Sequence, residues 1–98
     1  MQITKTQQGG TLTIALDGRL DSLTSPQLES EIQGKLDGVA HLVMDLEKLA
    51  YISSAGLRVM LVAQKIMSKQ GDLVLKKVGQ EVREIFDVTG FSDILTIE

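Results

Sequence analysis

Two adjacent serines, Ser53 and Ser54, stand directly before a long apolar run that extends toward Lys69. Serine is a favoured residue at a helix N-cap, so this pattern predicts a helix that begins here. A helix start has backbone N–H groups without partners and carries the positive end of the helix dipole. The position therefore suits an anion, including a phosphate attached to one of the serines. Serines before apolar helices also serve simply as caps, so the local pattern leaves both roles open.

One face of this predicted helix is polar. At about 100° per residue, the polar stripe consists of Ser54, Arg58, Lys65 and Lys69. Leu57 and Leu61 flank the stripe on one side, and Val62 flanks it on the other. The opposite face, which we expect to pack on the core, consists of Val59, Met60, Ala63, Ile66 and Met67. Exposed leucines beside a polar stripe favour a docking surface, although apolar residues also occur at such margins without a role.

A serine at a helix start also raises the question of hydrolase chemistry. The only histidine is His41, and Asp45 follows four residues later on the same predicted strand. Four strand residues span roughly 13 Å, so the two side chains cannot both serve one serine. We expect Asp45 to lie nearer to Ser54, but without an imidazole, and no Gly-x-Ser-x-Gly turn is present. The pattern predicts no enzymatic activity.

Composition limits the remaining classes of function. The chain has no cysteine, one histidine and scattered carboxylates, which predicts no metal site and no cofactor. A net charge of −3 and only three aromatic residues argue against nucleic-acid binding. The polar start of the chain is unlike a signal peptide, and no apolar run has the roughly 20 residues of a membrane span. We therefore expect a cytoplasmic protein with no direct membrane insertion.

The periodicity predicts one α/β domain over residues 1–98, with a mixed, mostly parallel sheet packed with helices. The predicted order is β-β-α-β-α-β-α-β. The predicted strands cover residues 2–7, 11–16, 39–46, 73–75 and 94–97, with residues 19–21 as an extended link after the second. The predicted helices run from Thr24 or Ser25 to Leu36, from the serine pair to Gly71, and over residues 81–89. Strand–helix–strand units at this spacing require parallel neighbours.

Three separated segments together resemble a known family. The run Tyr51-Ile52-Ser53-Ser54-Ala55-Gly56-Leu57-Arg58-Val59, after Val43-Met44-Asp45-Leu46, resembles the signature of bacterial anti-sigma factor antagonists, the STAS-domain family. Gly18-Arg19-Leu20-Asp21, with Thr24 and Leu28, is similar to that family's earlier segment. The run from Ile85 to Phe91 is similar to its last helix and turn. The segments occur in the expected order over nearly the whole chain.

The resemblance implies a STAS fold and a regulatory protein that binds an anti-sigma factor with a kinase-type ATP-binding fold. Binding would free a sigma factor, and phosphorylation of a serine would end it, with a phosphatase as a further candidate partner. The implied phosphoacceptor is Ser54, with Ser53 as its rival, because family members often carry aspartate where this chain has Ser53. The implied contact residues are Asp21, Ser22, Thr24, Ser53, Ser54, Gly56, Leu57, Arg58 and Leu61.

Two other functions fit the same residues. The first is a STAS-like interaction subunit without a phosphoswitch, attached permanently to a transporter ATPase or another regulatory complex. The second is a small-ligand domain that uses the helix start as an anion pocket. The second has the weaker support, because no aromatic or convergent polar cluster accompanies the serines.

Overall fold

A computed structural model describes all residues, 1–98, and has the predicted order of elements. The strands are β1 (Gln2–Gln8), β2 (Thr11–Leu20), β3 (His41–Ile52), β4 (Asp72–Lys76) and β5 (Thr96–Ile97). The helices are α1 (Ser25–Ile32), α2 (Ser54–Met67) and α3 (Gln80–Thr89), and a short 3-10 helix follows at Phe91–Asp93. The predicted α/β class is confirmed.

The five strands form one sheet in the order β1-β2-β3-β4-β5. Strand β1 pairs antiparallel with β2, and the other neighbouring strands pair in parallel. Right-handed crossovers between parallel strands taken in chain order place the connecting helices on one face of the sheet. The burial of β2 agrees, since Leu12, Ile14 and Leu16 are buried while the intervening Thr13 and Ala15 are partly exposed.

The core lies between that face of the sheet and the helices. Ile14, Met44 and Leu75 stand side by side on three neighbouring strands and are fully buried. Met60 of α2 and Phe86 of α3 close the core from the helical side, also with no exposed surface. Burying one such side chain contributes roughly 1.5–3 kcal/mol to the free energy of folding. None of the helices has both the length and the hydropathy that crossing a membrane requires.

Two strands continue beyond the ends that the sequence predicts. Strand β2 extends to Leu20 and β3 extends to Ile52. Most of the predicted link at residues 19–21 is therefore strand, and so are residues 47–52, which lie between the predicted third strand and the serine pair. The register of the pair shifts between Ala15 and Asp17 and again between Gly18 and Arg19. Gly18 has a φ of +125°, which a residue with a side chain rarely adopts. These irregularities break the period-two alternation by which a strand is recognised.

The first helix and the last strand are shorter than predicted. Helix α1 ends at Ile32, because Gly34 has a φ of +72° and turns the chain away. Leu36 is nevertheless buried, so a four-residue apolar spacing continues past the end of the helix. The segment predicted as strand from residue 94 begins to pair only at Thr96, after the 3-10 helix.

Candidate functional site at the start of helix α2

Ser53 is the N-cap of α2 and is held in place on three of its atoms. Its backbone is extended, and its hydroxyl oxygen accepts a long 3.4 Å hydrogen bond from the N–H of Gly56. Its carbonyl oxygen accepts from the N–H of Leu57 at 2.9 Å, and its own N–H donates to the carbonyl of Leu20 at 2.8 Å. The side chain is only half-buried, yet its hydroxyl is already used by the helix.

Ser54 is the first residue of α2 and is exposed to solvent. Its hydroxyl lies at the positive end of the helix dipole, where added negative charge is stabilised. Of the two serines, Ser54 is therefore the one that another protein can reach without disturbing the cap. Arg58, Lys65 and Lys69 of the predicted polar stripe are exposed as well.

Gly56 brings α2 into close contact with the ends of two strands. A Cβ atom at this position would lie 2.8 Å from Ile52 Cγ1 and 2.8 Å from Leu20 Cγ. Such distances are far below normal carbon–carbon contact, so only glycine fits without a shift of its neighbours. Gly56 is buried and supports the site from beneath, so its side of the helix is closed to a partner.

The prediction that Leu57 is exposed at the edge of the polar stripe is wrong. Leu57 is only 6% exposed and belongs to the hydrophobic core, whereas Leu61 is partly exposed as predicted. Helix α2 packs on the sheet and also against α1, so its buried arc is wider than a helix on a flat sheet would have. Leu57 thus acts through packing.

Arg58 connects the two helices. Its Nη2 lies 3.3 Å from Oε1 of Glu29 on α1, and the arginine side chain remains largely exposed. An exposed pair of this kind contributes no more than about 1 kcal/mol to stability. Because the guanidinium is only weakly held, it is available to a second anion nearby.

The loop before α1, Asp21–Thr24, is fixed by its own side chains. Oδ1 of Asp21 accepts hydrogen bonds from the N–H groups of Leu23 at 3.0 Å and Thr24 at 3.1 Å. The hydroxyl of Thr24 donates to the carbonyl of Arg19 at 2.6 Å and accepts from the N–H of Asp21 at 2.9 Å. The hydrogen bonds from Thr24 and Leu23 lower the pKa of the Asp21 carboxyl below 3.8, its ordinary value, because they favour the ionised form.

The Ser53–Leu20 hydrogen bond joins this loop to the start of α2, so the structure brings the two predicted contact segments together. We call the surface that they form the cap surface. Its members are Asp21, Ser22, Leu23, Thr24, Ser53, Ser54, Arg58 and Leu61. Its polar members Ser22, Ser54 and Arg58 are exposed, while Asp21 and Thr24 are partly exposed.

Two features of this region escaped the sequence analysis. Leu23 is 84% exposed, and its signal was an apolar residue in an otherwise polar loop. Arg19 and Tyr51 stand opposite each other on β2 and β3, with the guanidinium carbon 4.5 Å from the centre of the ring. That pairing depends on the irregular register of the two strands, which the sequence does not reveal.

The residues considered for hydrolase chemistry lie away from Ser54. Asp45 is in the middle of β3, opposite Ala15 and Lys76, and accepts a hydrogen bond from the N–H of Glu47 at 3.1 Å. As expected, Asp45 is nearer than His41 to the serine end of β3, but it stands seven positions before Ile52, a span of roughly 20 Å, so it does not reach Ser54. His41, at the other end of β3, pairs with Asp72 at 3.0 Å.

The chain is similar to known proteins over almost its whole length. The model of the STAS domain family matches residues 2–98. BtrV of Bordetella bronchiseptica, whose assigned name is putative anti-sigma factor antagonist, is 41% identical over 99 residues, covering 99% of this chain and 85% of BtrV. The anti-sigma-B factor antagonist of Listeria monocytogenes is 31% identical over 90 residues, covering 89% of this chain and 78% of that protein.

A solved structure has the same fold. The anti-sigma factor antagonist SpoIIAA in its unphosphorylated form superposes with a TM-score of 0.85 at 20% identity, covering 99% of this chain and 88% of SpoIIAA. SpoIIAA has also been solved in its phosphorylated form, for which the TM-score is 0.77. With the family model matched over almost every residue, and two relatives above 30% identity, this chain belongs to the STAS domain family.

Proposed function

We propose that this chain is an anti-sigma factor antagonist, which binds an anti-sigma factor with a kinase-type ATP-binding fold and so releases a sigma factor for transcription. The cap surface carries this proposal, because exposed Ser54 and the fixed Asp21–Thr24 loop form one continuous surface. A surface that is already ordered loses little conformational entropy on binding. The names of BtrV and of the Listeria protein support the same function.

The second part of the proposal is that the anti-sigma factor phosphorylates Ser54 and that a phosphatase resets the switch. The exposure of Ser54 favours it over Ser53, whose hydroxyl caps the helix. A phosphate adds a charge of roughly −1.5 to −2, which the helix N-terminus tolerates. Arg58, one turn further along, lies on the same face of α2 and is only weakly held by Glu29. The fold is therefore expected to survive the modification.

Phosphorylation would act on the interface. A partner packed over Ser54 would have to desolvate the phosphate and accommodate its bulk, and acidic groups of the partner would repel it. A loss of about 3 kcal/mol corresponds to a roughly 100-fold weaker complex. Gly56 and Leu57, which are buried, would affect binding only through the position of α2.

The test is a set of dissociation constants, measured by calorimetry against each purified anti-sigma factor of the source bacterium that has a kinase-type fold. We expect wild type and Ser54→Ala to bind one of them alike, and Ser54→Glu to bind at least 10-fold more weakly. Ser68→Glu is the matched control, because Ser68 is an exposed serine at the other end of α2.

Two results would contradict parts of the proposal. If all four proteins bind with the same dissociation constant, the switch at Ser54 is wrong and a permanent interaction subunit is the better account. If wild type binds none of these anti-sigma factors, the antagonist function itself is wrong.

A further inference from the structure

Leu23 is a large apolar side chain that the fold leaves almost entirely in water. It is 84% exposed, between partly buried or exposed polar neighbours in the loop from β2 to α1. A single exposed leucine is common on protein surfaces and alone indicates nothing. Two further properties of Leu23 distinguish it: its backbone is fixed, and it lies on the cap surface.

The backbone of Leu23 is fixed from both sides. Its N–H donates to Oδ1 of Asp21 at 3.0 Å, and the next N–H, that of Thr24, donates to the same oxygen at 3.1 Å. After the loop, the N–H of Ser25 donates to the carbonyl of Asp21 at 2.8 Å and begins the turn into α1. An apolar side chain on an ordered backbone can enter a partner's pocket at a small entropic cost.

The position of Leu23 connects it to Ser54. The carbonyl of Leu20, three residues before Leu23, accepts the hydrogen bond from the N–H of Ser53. The loop and the start of α2 therefore occupy the same edge of the sheet, and a protein that covers Ser54 meets this loop next. This continuity favours the same partner for both.

The carboxylate of Asp21, which holds the backbone of Leu23, can accept a further hydrogen bond. Oδ1 of Asp21 takes the hydrogen bonds from Leu23 and Thr24, and these bonds favour the ionised carboxylate. Oδ2 receives neither of them and is free to accept a bond from outside. The loop thus presents an apolar side chain next to a negative charge, and its complement is an apolar pocket with a basic rim.

We propose that Leu23 is an apolar anchor of the cap surface, which enters a pocket of the anti-sigma factor whose rim carries a lysine or arginine for Asp21. This inference rests on the proposed function, because it takes the partner from there. Anchors of this type dominate the affinity of many interfaces, and their truncation weakens binding roughly 10- to 100-fold.

The experiment compares Leu23→Ser and Leu23→Met with wild type in calorimetry against the purified anti-sigma factor that wild type binds. We expect Leu23→Ser to raise the dissociation constant at least 10-fold, and Leu23→Met to stay within about threefold of wild type because it still fills an apolar pocket. Val88→Ser is the matched control. Val88 is 87% exposed in the last turn of α3, a helix that contributes no residue to the cap surface. We expect its dissociation constant to equal that of wild type.

The outcomes separate this inference from the proposed function. If wild type binds and Leu23→Ser binds equally well, the anchor is wrong and the antagonist function stands. An equal loss of affinity in Leu23→Ser and Val88→Ser would also overturn the anchor, since it would indicate that removing any exposed apolar side chain weakens binding. If wild type binds no anti-sigma factor, both are wrong. Thermal unfolding should give the same midpoint for all four proteins, because the changed side chains are exposed.

Discussion

The N–H of Ser53 donates a 2.8 Å hydrogen bond to the carbonyl of Leu20, and this bond joins the start of α2 to the end of β2. Ser53 is the N-cap of α2, and the first residue of that helix, Ser54, is exposed. Leu20 leads into a loop that is fixed by Asp21 and Thr24. One short contact thus makes a single surface from segments more than thirty residues apart in the sequence.

The close packing at Gly56 predicts a large cost for a small substitution. In Gly56→Ala the new methyl group would lie 2.8 Å from side-chain atoms of Leu20 and Ile52, so either α2 or these side chains must shift. We expect a loss of about 1–3 kcal/mol in the free energy of unfolding, measured by urea denaturation. Gly10→Ala is the control, because its Cβ would meet nothing nearer than 3.5 Å. Equal stability of the two variants would contradict the packing described for α2.

The two serines should differ in their contribution to stability. Ser53→Ala removes the acceptor for the N–H of Gly56, and we expect it to cost about 0.5–1 kcal/mol, since the bond is long at 3.4 Å. Ser54→Ala changes an exposed residue and should stay within about 0.5 kcal/mol of wild type. Urea denaturation of the two variants measures both values. A larger loss for Ser54→Ala than for Ser53→Ala would show that the cap is assigned to the wrong serine.

Asp21 should make stability depend on pH. Its pKa in the folded protein is lowered, chiefly by the hydrogen bond from the N–H of Thr24 and then by that from Leu23. The stabilisation from the ionised carboxylate is therefore fully present above the unfolded-state pKa and is lost as the pH falls through the folded-state value. We expect Asp21→Asn to melt below wild type at pH 7, with the difference shrinking as the pH falls below 3.8. A difference between the two melting temperatures that is constant from pH 7 to acid would contradict this assignment.

Arg58 should matter more after phosphorylation. In the unmodified chain it pairs with Glu29 at 3.3 Å on the surface, so Arg58→Ala should cost no more than about 1 kcal/mol. A phosphate on Ser54 would lie one helical turn away, and we expect the same substitution then to cost about 0.5 kcal/mol more. Thermal unfolding of both forms tests this, with Lys65→Ala as the control because Lys65 is in the last turn of the helix. An equal cost of Arg58→Ala in both forms would rule out a contact between arginine and phosphate.

The sequence predicted the elements whose side-chain spacing is regular. Leu12, Ile14 and Leu16 alternate along a strand, and Leu28 and Ile32 repeat along a helix, so both elements were recognised. It did not predict the second halves of β2 and β3, because irregular pairing around Gly18 changes the spacing of the buried residues. The ends of elements depend on the partners of their backbone groups, which a single sequence does not contain.

The sequence likewise predicted only those parts of the candidate site that depend on nearby residues. The serine pair was found from capping preferences, since these depend only on nearby residues. Leu57 was misplaced because the width of the buried arc of α2 depends on α1, a contact between distant segments. Leu23 was missed because a leucine is usually buried, whereas here the hydrogen bonds of Asp21 and Thr24 fold the loop so that its side chain is exposed.

Release of the sigma factor tests the central claim most directly. A preformed complex of the purified anti-sigma factor and its sigma factor would be mixed with this chain, and free sigma factor would be measured by size-exclusion chromatography. The account predicts that the unphosphorylated chain frees the sigma factor and that the chain phosphorylated on Ser54 leaves the complex intact. A complex that stays intact with a saturating amount of unphosphorylated chain would contradict the account.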